Sequence, residues 1–246
     1  MGDELGRLLR EVDRKKMELA ERPDPAPEAL EAYEERFLFE SVYYNNTMEG
    51  NQLSLDEIKE ALLNDVVIAN KPLSDHIAIV GYRDAMRLAQ VYVDSNRRIT
   101  EHEIKRLHAQ MMIDKQDISG EYRSFNLTIQ GHRPTSYEKV GQKMQKLAES
   151  KPPEYAHIIE SAAFFHLRLE KIHPFADGNG RVGRLIINIM LEQAGLPPII
   201  IYAEDRPAYY EALNAYDGLD GKPQTLPMQL LLAKLASRHL DELLEL

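Results

Sequence analysis

Cysteine is absent from the 246 residues. Disulfides and thiolate chemistry are therefore unavailable, which fits a reducing compartment. Basic residues are scarce: 30 Lys and Arg against 40 Asp and Glu leave a net charge of −10. A general nucleic-acid binder needs a basic face to neutralise phosphates, so that class is excluded. Long apolar runs are missing as well. No stretch approaches roughly 18 consecutive apolar residues, so no transmembrane helix is expected. The opening MGDELGRLLREVDRKKMEL is charged throughout and does not resemble a secretory signal. Met1-Gly2 could start a myristoylation site, but position 6 is Gly6, not Ser or Thr. There is no internal repeat, no low-complexity tract and no linker long enough to separate two domains. A cytoplasmic protein acting on neither nucleic acid nor membrane is expected.

What is present is ordinary globular material, 43% hydrophobic and 28% charged, enough to bury a core. The patterning is helical almost throughout. Leu5, Leu8, Leu9, Val12, Met17 and Leu19 recur at helical spacing. Pro23, Pro25 and Pro27 then interrupt the chain, and a second helix follows over about 27–44. Ser54-Leu55-Asp56-Glu57 and Thr100-Glu101-His102-Glu103 read as capping boxes. Between those boxes, Ser74 or Asp75 is expected to cap a helix running to about Asp94. Further helices are expected over about 137–150, 154–171, 181–194, 206–216 and 227–246. His108, in the helix after Thr100, reads as a buried structural histidine, with a ligand or base role as the alternative.

Two places depart from this pattern. Glu121–Gln130, EYRSFNLTIQ, is rich in aromatic and β-branched residues, and Gly131 and Pro134 follow. It predicts a short hairpin or extended flap over 121–134, resting on the helices and offering a backbone edge to a peptide. Glu49 precedes Gly50 and Asn51, which are helix-stop residues. An acid in the last turn of a helix faces the negative end of its dipole, so Glu49 calls for a cationic partner elsewhere.

The chemistry concentrates in His173-Pro174-Phe175-Ala176-Asp177-Gly178-Asn179-Gly180-Arg181-Val182-Gly183-Arg184. Gly178, Asn179 and Gly180 lead into a helix, where free N–H groups and the dipole attract phosphate. Arg181 and Arg184, three apart, add two planar forks on one helix face, which suits a di- or triphosphate. Asp177 would oppose phosphate unless it holds Mg²⁺, which takes one or two carboxylates plus phosphate oxygens. His173 can accept a proton from an attacking hydroxyl. A metal hydrolase with His173 and Asp177 as ligands competes with this reading, but a catalytic metal usually has about three protein ligands and no third is in view.

These residues match the Fic signature H-x-F-x-[DE]-G-N-G-R-x-x-R at every defined position. The resemblance covers about 40–240, including Gly120-Glu121-Tyr122-Arg123, Leu107-His108 and Arg206-Pro207-Ala208-Tyr209-Tyr210. It implies an all-α Fic fold with one short β-hairpin flap over the active site. It also implies transfer of AMP from ATP to a Ser, Thr or Tyr hydroxyl of a protein target, with Mg²⁺ as cofactor and pyrophosphate leaving. By motif position, His173 would be the base and Asp177 the metal carboxylate. Gly178, Asn179, Gly180, Arg181 and Arg184 would bind phosphates, Tyr209 and Tyr210 would lie near the adenine, and Leu127, Thr128 and Ile129 would hold the target. Where some relatives carry an Asn, this chain has Asp217. Glu49-Gly50 resembles the end of the family's inhibitory motif [ST]-x-x-x-E-[GN], with Asn45 at its first position. Arg184 is then the cation that Glu49 needs. Residues 1–70 would be N-terminal helices carrying the inhibitory segment near 41–51, and 71–246 the catalytic core. The alternatives are removal of AMP from a modified protein and a nucleotide-sensing module with negligible turnover. A homodimer through apolar faces of the N-terminal helices is a further expectation.

Overall fold

A computed structural model describes residues 2–129, 134–150, 156–217 and 223–246. The described residues form an all-α fold. Its helices are α1 (Gly2–Glu21), α2 (Pro27–Thr47), α3 (Leu55–Asn64), α4 (Leu73–Asp94), α5 (Glu101–Met111), α6 (Val140–Glu149), α7 (Ile158–Ile172), α8 (Asn179–Gln193), α9 (Arg206–Asp217) and α10 (Leu226–Leu244).

The capping signals act as the sequence predicts at α3 and α5. Ser54 accepts from the Glu57 N–H, Glu57 accepts from the Ser54 N–H at 2.8 Å, and Thr100 and Glu103 repeat the exchange. At α4 the expectation is corrected. The helix starts at Leu73 after Pro72, with no side-chain cap. Asp75 instead accepts from the Gln52 N–H at 2.8 Å, and its carbonyl takes the Asn51 amide at 2.9 Å. A carboxylate bonded to a distant loop is no longer available to its own helix end. Asp75 thus anchors the stretch just after Glu49. The expected start of α7 at Glu154 lies outside the described residues; the described helix opens at Ile158, where the His157 ring caps Ile159 N–H at 3.1 Å.

Two hydrophobic clusters share α7 and α8. One gathers Val42, Ile58, Ile79, Tyr82, Leu107, Met144, Leu169, Phe175, Val182 and Ile186 from α2 to α8. The other gathers Leu5, Val12, Ile159, Leu167, Ile187, Leu191, Tyr209, Leu232 and Leu235 around α1, α9 and α10. Leu5 and Val12 thus sit in a core, so part of the apolar side of α1 is used within the chain rather than left free.

No β-strand occurs among the described residues. Chain 121–128 is irregular, with a bend at Ser124–Phe125, and Ile129 makes a lone bridge. The expected turn of the hairpin, 130–133, lies outside the described residues.

Candidate active site

The site forms where α7 hands over to α8. His173 ends α7 in the left-handed region (φ 49°), with its N–H on the Leu169 carbonyl at 2.7 Å, and Pro174 prevents the helix from continuing. Its Nδ1 lies 3.4 Å from Glu170 Oε2, an ion-pair distance rather than a well-formed hydrogen bond. Burial pushes the Glu170 carboxyl up, yet contact with His173 and the charge of Arg184 outweigh it and hold the group below the usual carboxylate range. An ionised carboxylate therefore backs the expected base. Nothing local in the sequence marks Glu170; only the turn of α7 brings it beside His173.

His108 takes the structural role. It is fully buried and stacks on Phe175, ring centroids 3.8 Å apart and 7° from parallel. The Gly120 N–H donates to Nδ1 at 2.9 Å, so the proton resides on Nε2, which donates to the Asp177 carbonyl at 3.0 Å. Burial, the largest influence, lowers its pKa to about 4 and keeps the ring neutral. One uncharged histidine thus ties the start of the flap to the motif loop. Asn179 closes the same loop: its amide exchanges two 2.9 Å bonds with the backbone of Phe175. Asn179 can therefore offer phosphate its backbone N–H but not its side chain. Gly178 stands at φ 78°, and a Cβ there would meet Met112 Sδ at 3.2 Å, so glycine is required.

The Gly178 N–H is taken by Asp177 Oδ1 at 2.6 Å. Asn179, Gly180 and Arg181 open α8 with no side-chain cap, the arrangement of N–H groups that attracts an anion. Arg181 is buried, 3.4 Å from Asp177 Oδ1 and 3.6 Å from Met112 Sδ. Burial raises the Asp177 carboxyl, but Lys115 and Arg181 together lower it below its ordinary value. Lys115, which the sequence reading missed, places Nζ 2.6 Å from Asp177 Oδ2. Among the described residues no cluster of three or more His, Cys, Asp or Glu could hold a metal. A lone ionised carboxylate beside a phosphate cradle suits Mg²⁺ that completes its shell with phosphate oxygens and water, and does not suit a three-ligand catalytic zinc.

Arg184, 6% exposed, is held from α2 and from the turn after it. Its Nε donates to Asn45 Oδ1 at 2.6 Å, and its Nη2 to Glu49 Oε1 at 3.0 Å and to the Asn45 carbonyl at 3.4 Å. The Asn45 amide donates to the Ser41 carbonyl at 2.9 Å, which fixes its oxygen toward Arg184. Glu49 lies two residues past the last helical residue of α2, followed by Gly50 at φ 89°. Burial works against the guanidinium, but Tyr209, Glu49 and Tyr82 raise its pKa further, so it stays charged.

Tyr209 differs from its expected place at the adenine. Its ring is 1% exposed, with the hydroxyl 2.8 Å from His166 Nε2 and 3.5 Å from Arg184 Nη1. It braces Arg184 from below. Tyr210 packs edge-on against it and is 46% exposed, open to a ring from solvent. Leu127, Thr128 and Ile129 lie in the partly exposed chain beyond Arg123. Buried Arg123 binds four backbone carbonyls: His173 at 2.7 Å, Phe125 at 2.7 Å, Ile172 at 3.3 Å, and Thr135. Its own N–H donates to the Pro174 carbonyl at 2.9 Å. Lys171 pairs with Asp217 at the far side of α7.

In this all-helical protein a histidine backed by a carboxylate, a lone aspartate and two buried arginines meet at one helix junction, a set that would suit the phosphates of a nucleotide. Residues 98–191 match the model of the Fic/DOC family. The chain is 31% identical to the protein adenylyltransferase Fic of Nematostella vectensis over 88% of its own length and 52% of the relative's, and 30% identical to that of Drosophila willistoni over 88% and 44%. It spans about half the length of the curated relatives it matches. Among solved structures it is similar to Fic-1 (aa134–508) from C. elegans (TM-score 0.88, 25% identity, 98% of this chain and 72% of that one). It is also similar to a Fic domain containing signaling protein from Bacteroides thetaiotaomicron (TM-score 0.86, 28% identity, 97% and 96%). The chain belongs to the Fic family.

Proposed function

We propose that this chain is a self-inhibited protein adenylyltransferase that moves AMP from ATP to a Ser, Thr or Tyr hydroxyl of a protein target. The observation that carries the proposal is Arg184, the last residue of the phosphate cradle, held at 3.0 Å by Glu49. The relatives named protein adenylyltransferase support the activity.

In the proposed reaction the target hydroxyl attacks the α-phosphorus in line. His173 takes the hydroxyl proton, with Glu170 behind its ring. The bond from the α-phosphorus to the bridging oxygen breaks, and pyrophosphate leaves with that electron pair. The N–H groups of 179–181 and the Arg181 guanidinium hold the phosphates. Asp177 would hold Mg²⁺, which supplies charge neutralisation on the α- and β-phosphates. Tyr210 offers a face to the adenine. The chain at Leu127, Thr128 and Ile129 holds the target by its backbone. Arg184 would bind the γ-phosphate once Glu49 releases it. While Glu49 stays, a triphosphate meets a carboxylate where it needs a cation, and binding is unproductive.

The test is the intact mass of wild type, Glu49→Gly and His173→Ala after incubation with ATP and Mg²⁺. Self-modification by one AMP is expected in Glu49→Gly, little in wild type and none in His173→Ala. Absence of any gain in Glu49→Gly would sink the inhibitory role. A second reading is favoured by the exposure of Glu49, whose side chain is 35% accessible while one oxygen binds Arg184. Its other oxygen can orient a water for removal of AMP. Release of AMP from a modified target by wild type, lost in Glu49→Gly, separates the two. A homodimer belongs to the proposal. Because Leu5 and Val12 of α1 lie in a core, exposed Leu63, Val67 and Leu73 are better candidates for its interface.

A further inference from the structure

We propose that Lys115 is the resident counter-ion of Asp177, and that it becomes a ligand of the nucleotide's phosphates once a divalent cation takes that carboxylate. The proposal rests on the nucleotide-transfer reading of the site.

The two oxygens of Asp177 are used differently. Oδ1 receives the Gly178 N–H at 2.6 Å and Arg181 at 3.4 Å, both from the loop and helix that form the cradle. Among the described residues, Oδ2 receives the Lys115 ammonium alone, at 2.6 Å. A metal ion binding this carboxylate from the open side meets that ammonium first. A divalent ion on that oxygen repels the ammonium 2.6 Å away and weakens its hydrogen bond, which favours release of Lys115.

Lys115 is placed so that only its side chain has to move. Its N–H donates to the Met112 carbonyl at 3.1 Å, and its carbonyl accepts from Ile118 and Ser119 at 3.0 and 2.9 Å. Met112 in turn touches Arg181, and His108 joins the Asp177 carbonyl to Gly120. The backbone carrying Lys115 is thus bound to the cradle. The ion pair itself is open to water, with side-chain exposures of 44% and 40%. Exposed pairs of this kind are weak, so a doubly charged ion displaces the ammonium at little cost.

The displaced charge has a defined place to go. Glu49, Asp75, Asp114, Asp177 and Arg181 line a small polar cavity of about 190 Å³ together with Lys115. Without a nucleotide the released ammonium has the carboxylates of Glu49, Asp75 and Asp114 in the same cavity as partners. With one bound, phosphate oxygens at the N–H groups of 179–181 come within the sweep of its four-carbon stem. An ammonium is a compact point charge that binds phosphate without a fixed orientation, which suits a residue that must change partners. The arginines do not have this freedom, since both are buried.

The test uses the full chain and two titrations that need no transfer activity. Binding of Mn²⁺ alone is followed by loss of its free-ion EPR signal, and binding of ADP in saturating Mg²⁺ by calorimetry. ADP lacks the phosphate that Arg184 would hold, so Glu49 can stay in place. Lys115→Met is expected to bind Mn²⁺ several-fold more tightly and ADP about tenfold to a hundredfold more weakly. Lys115→Arg is expected to keep ADP affinity close to wild type. Unchanged ADP affinity in Lys115→Met overturns the phosphate role. Unchanged or weaker Mn²⁺ binding, or none in either protein, overturns the counter-ion role, and the proposal requires both. An unchanged thermal midpoint in Lys115→Met confirms folding, as expected for an exposed pair. If Glu49→Gly transfers no AMP while these shifts occur, the transfer reading fails and the assignment of Lys115 stands.

Discussion

In the proposed function Arg184 is contested because its guanidinium is buried and permanently charged. Such a group must have acceptors wherever it lies, and α2 supplies Asn45 and the turn after it Glu49. Asn45 does more than fill the first position of the inhibitory pattern. It accepts from Nε while donating to its own helix, so it aligns the fork on which Glu49 closes. Asn45→Ala is expected to lower stability by about 1–3 kcal/mol, because a buried charged donor loses its acceptor. AMP incorporation should rise above wild type but stay below that of Glu49→Gly, since the carboxylate remains. Thermal unfolding and mass time courses check both, and activity equal to Glu49→Gly would mean that Asn45, not Glu49, carries the inhibition. The sequence already marks Glu49, because an acid near a helix C-terminus wants a cation. It marks neither Glu170 nor Lys115. Their roles depend on α7 turning Glu170 beside His173 and on the turn after α5 bringing Lys115 across 62 positions to Asp177.

Among the elements, the helices were legible and the connections were not. Periodicity and capping boxes locate α3 and α5, whose ends are fixed by local bonds. The start of α4 was misread because Asp75, a good cap by type, is drawn away to the Gln52 N–H. The stretch after Gly120 looked like a strand from its residue types. What holds it in place is Arg123, whose guanidinium substitutes for a sheet ladder by binding carbonyls at Phe125, Thr135, Ile172 and His173. Removing it takes a donor from all four carbonyls, one of these bonds buried and the other three part-buried. Arg123→Ala should therefore cost about 3 kcal/mol or more, a fall in Tm of roughly 6–12 °C for a chain of this size. It should also abolish transfer while ADP affinity stays within about threefold, because the N–H groups at 179–181 do not depend on it. Arg123→Lys can satisfy only part of the set and should fall between. A loss of ADP binding equal to the loss of transfer would show that Arg123 supports the cradle rather than the flap and base.

On the scale of the whole molecule, buried titratable groups tie stability to pH. His108, His166 and His239 have pKa values lowered to about 4, burial being the largest cause in each. Each is neutral when folded, whereas its unfolded form takes a proton near pH 6.5. Their contribution is complete above pH 6.5 and is lost as pH falls toward 4. Each histidine is worth at most about 3 kcal/mol. Glu192 has the opposite sign. Burial first, and then the charge of Asp94, raises its carboxyl to about 7. Its folded form holds a proton between pH 4.5 and 7 that the unfolded chain releases, so it stabilises the fold as pH falls through that window. Three histidines outweigh one carboxyl, and Tm is expected to fall from pH 7 to pH 4.5. Glu192→Gln isolates the opposing part. At pH 8 the wild-type carboxylate is charged in both states and its burial costs up to about 3 kcal/mol; the amide removes that cost. At pH 4.5 or below the wild-type group is neutral when folded, and the advantage largely disappears. Glu192→Gln should therefore melt several degrees above wild type at pH 8 and close to it at pH 4.5. An equal difference at both values would mean that the gain comes from packing rather than charge.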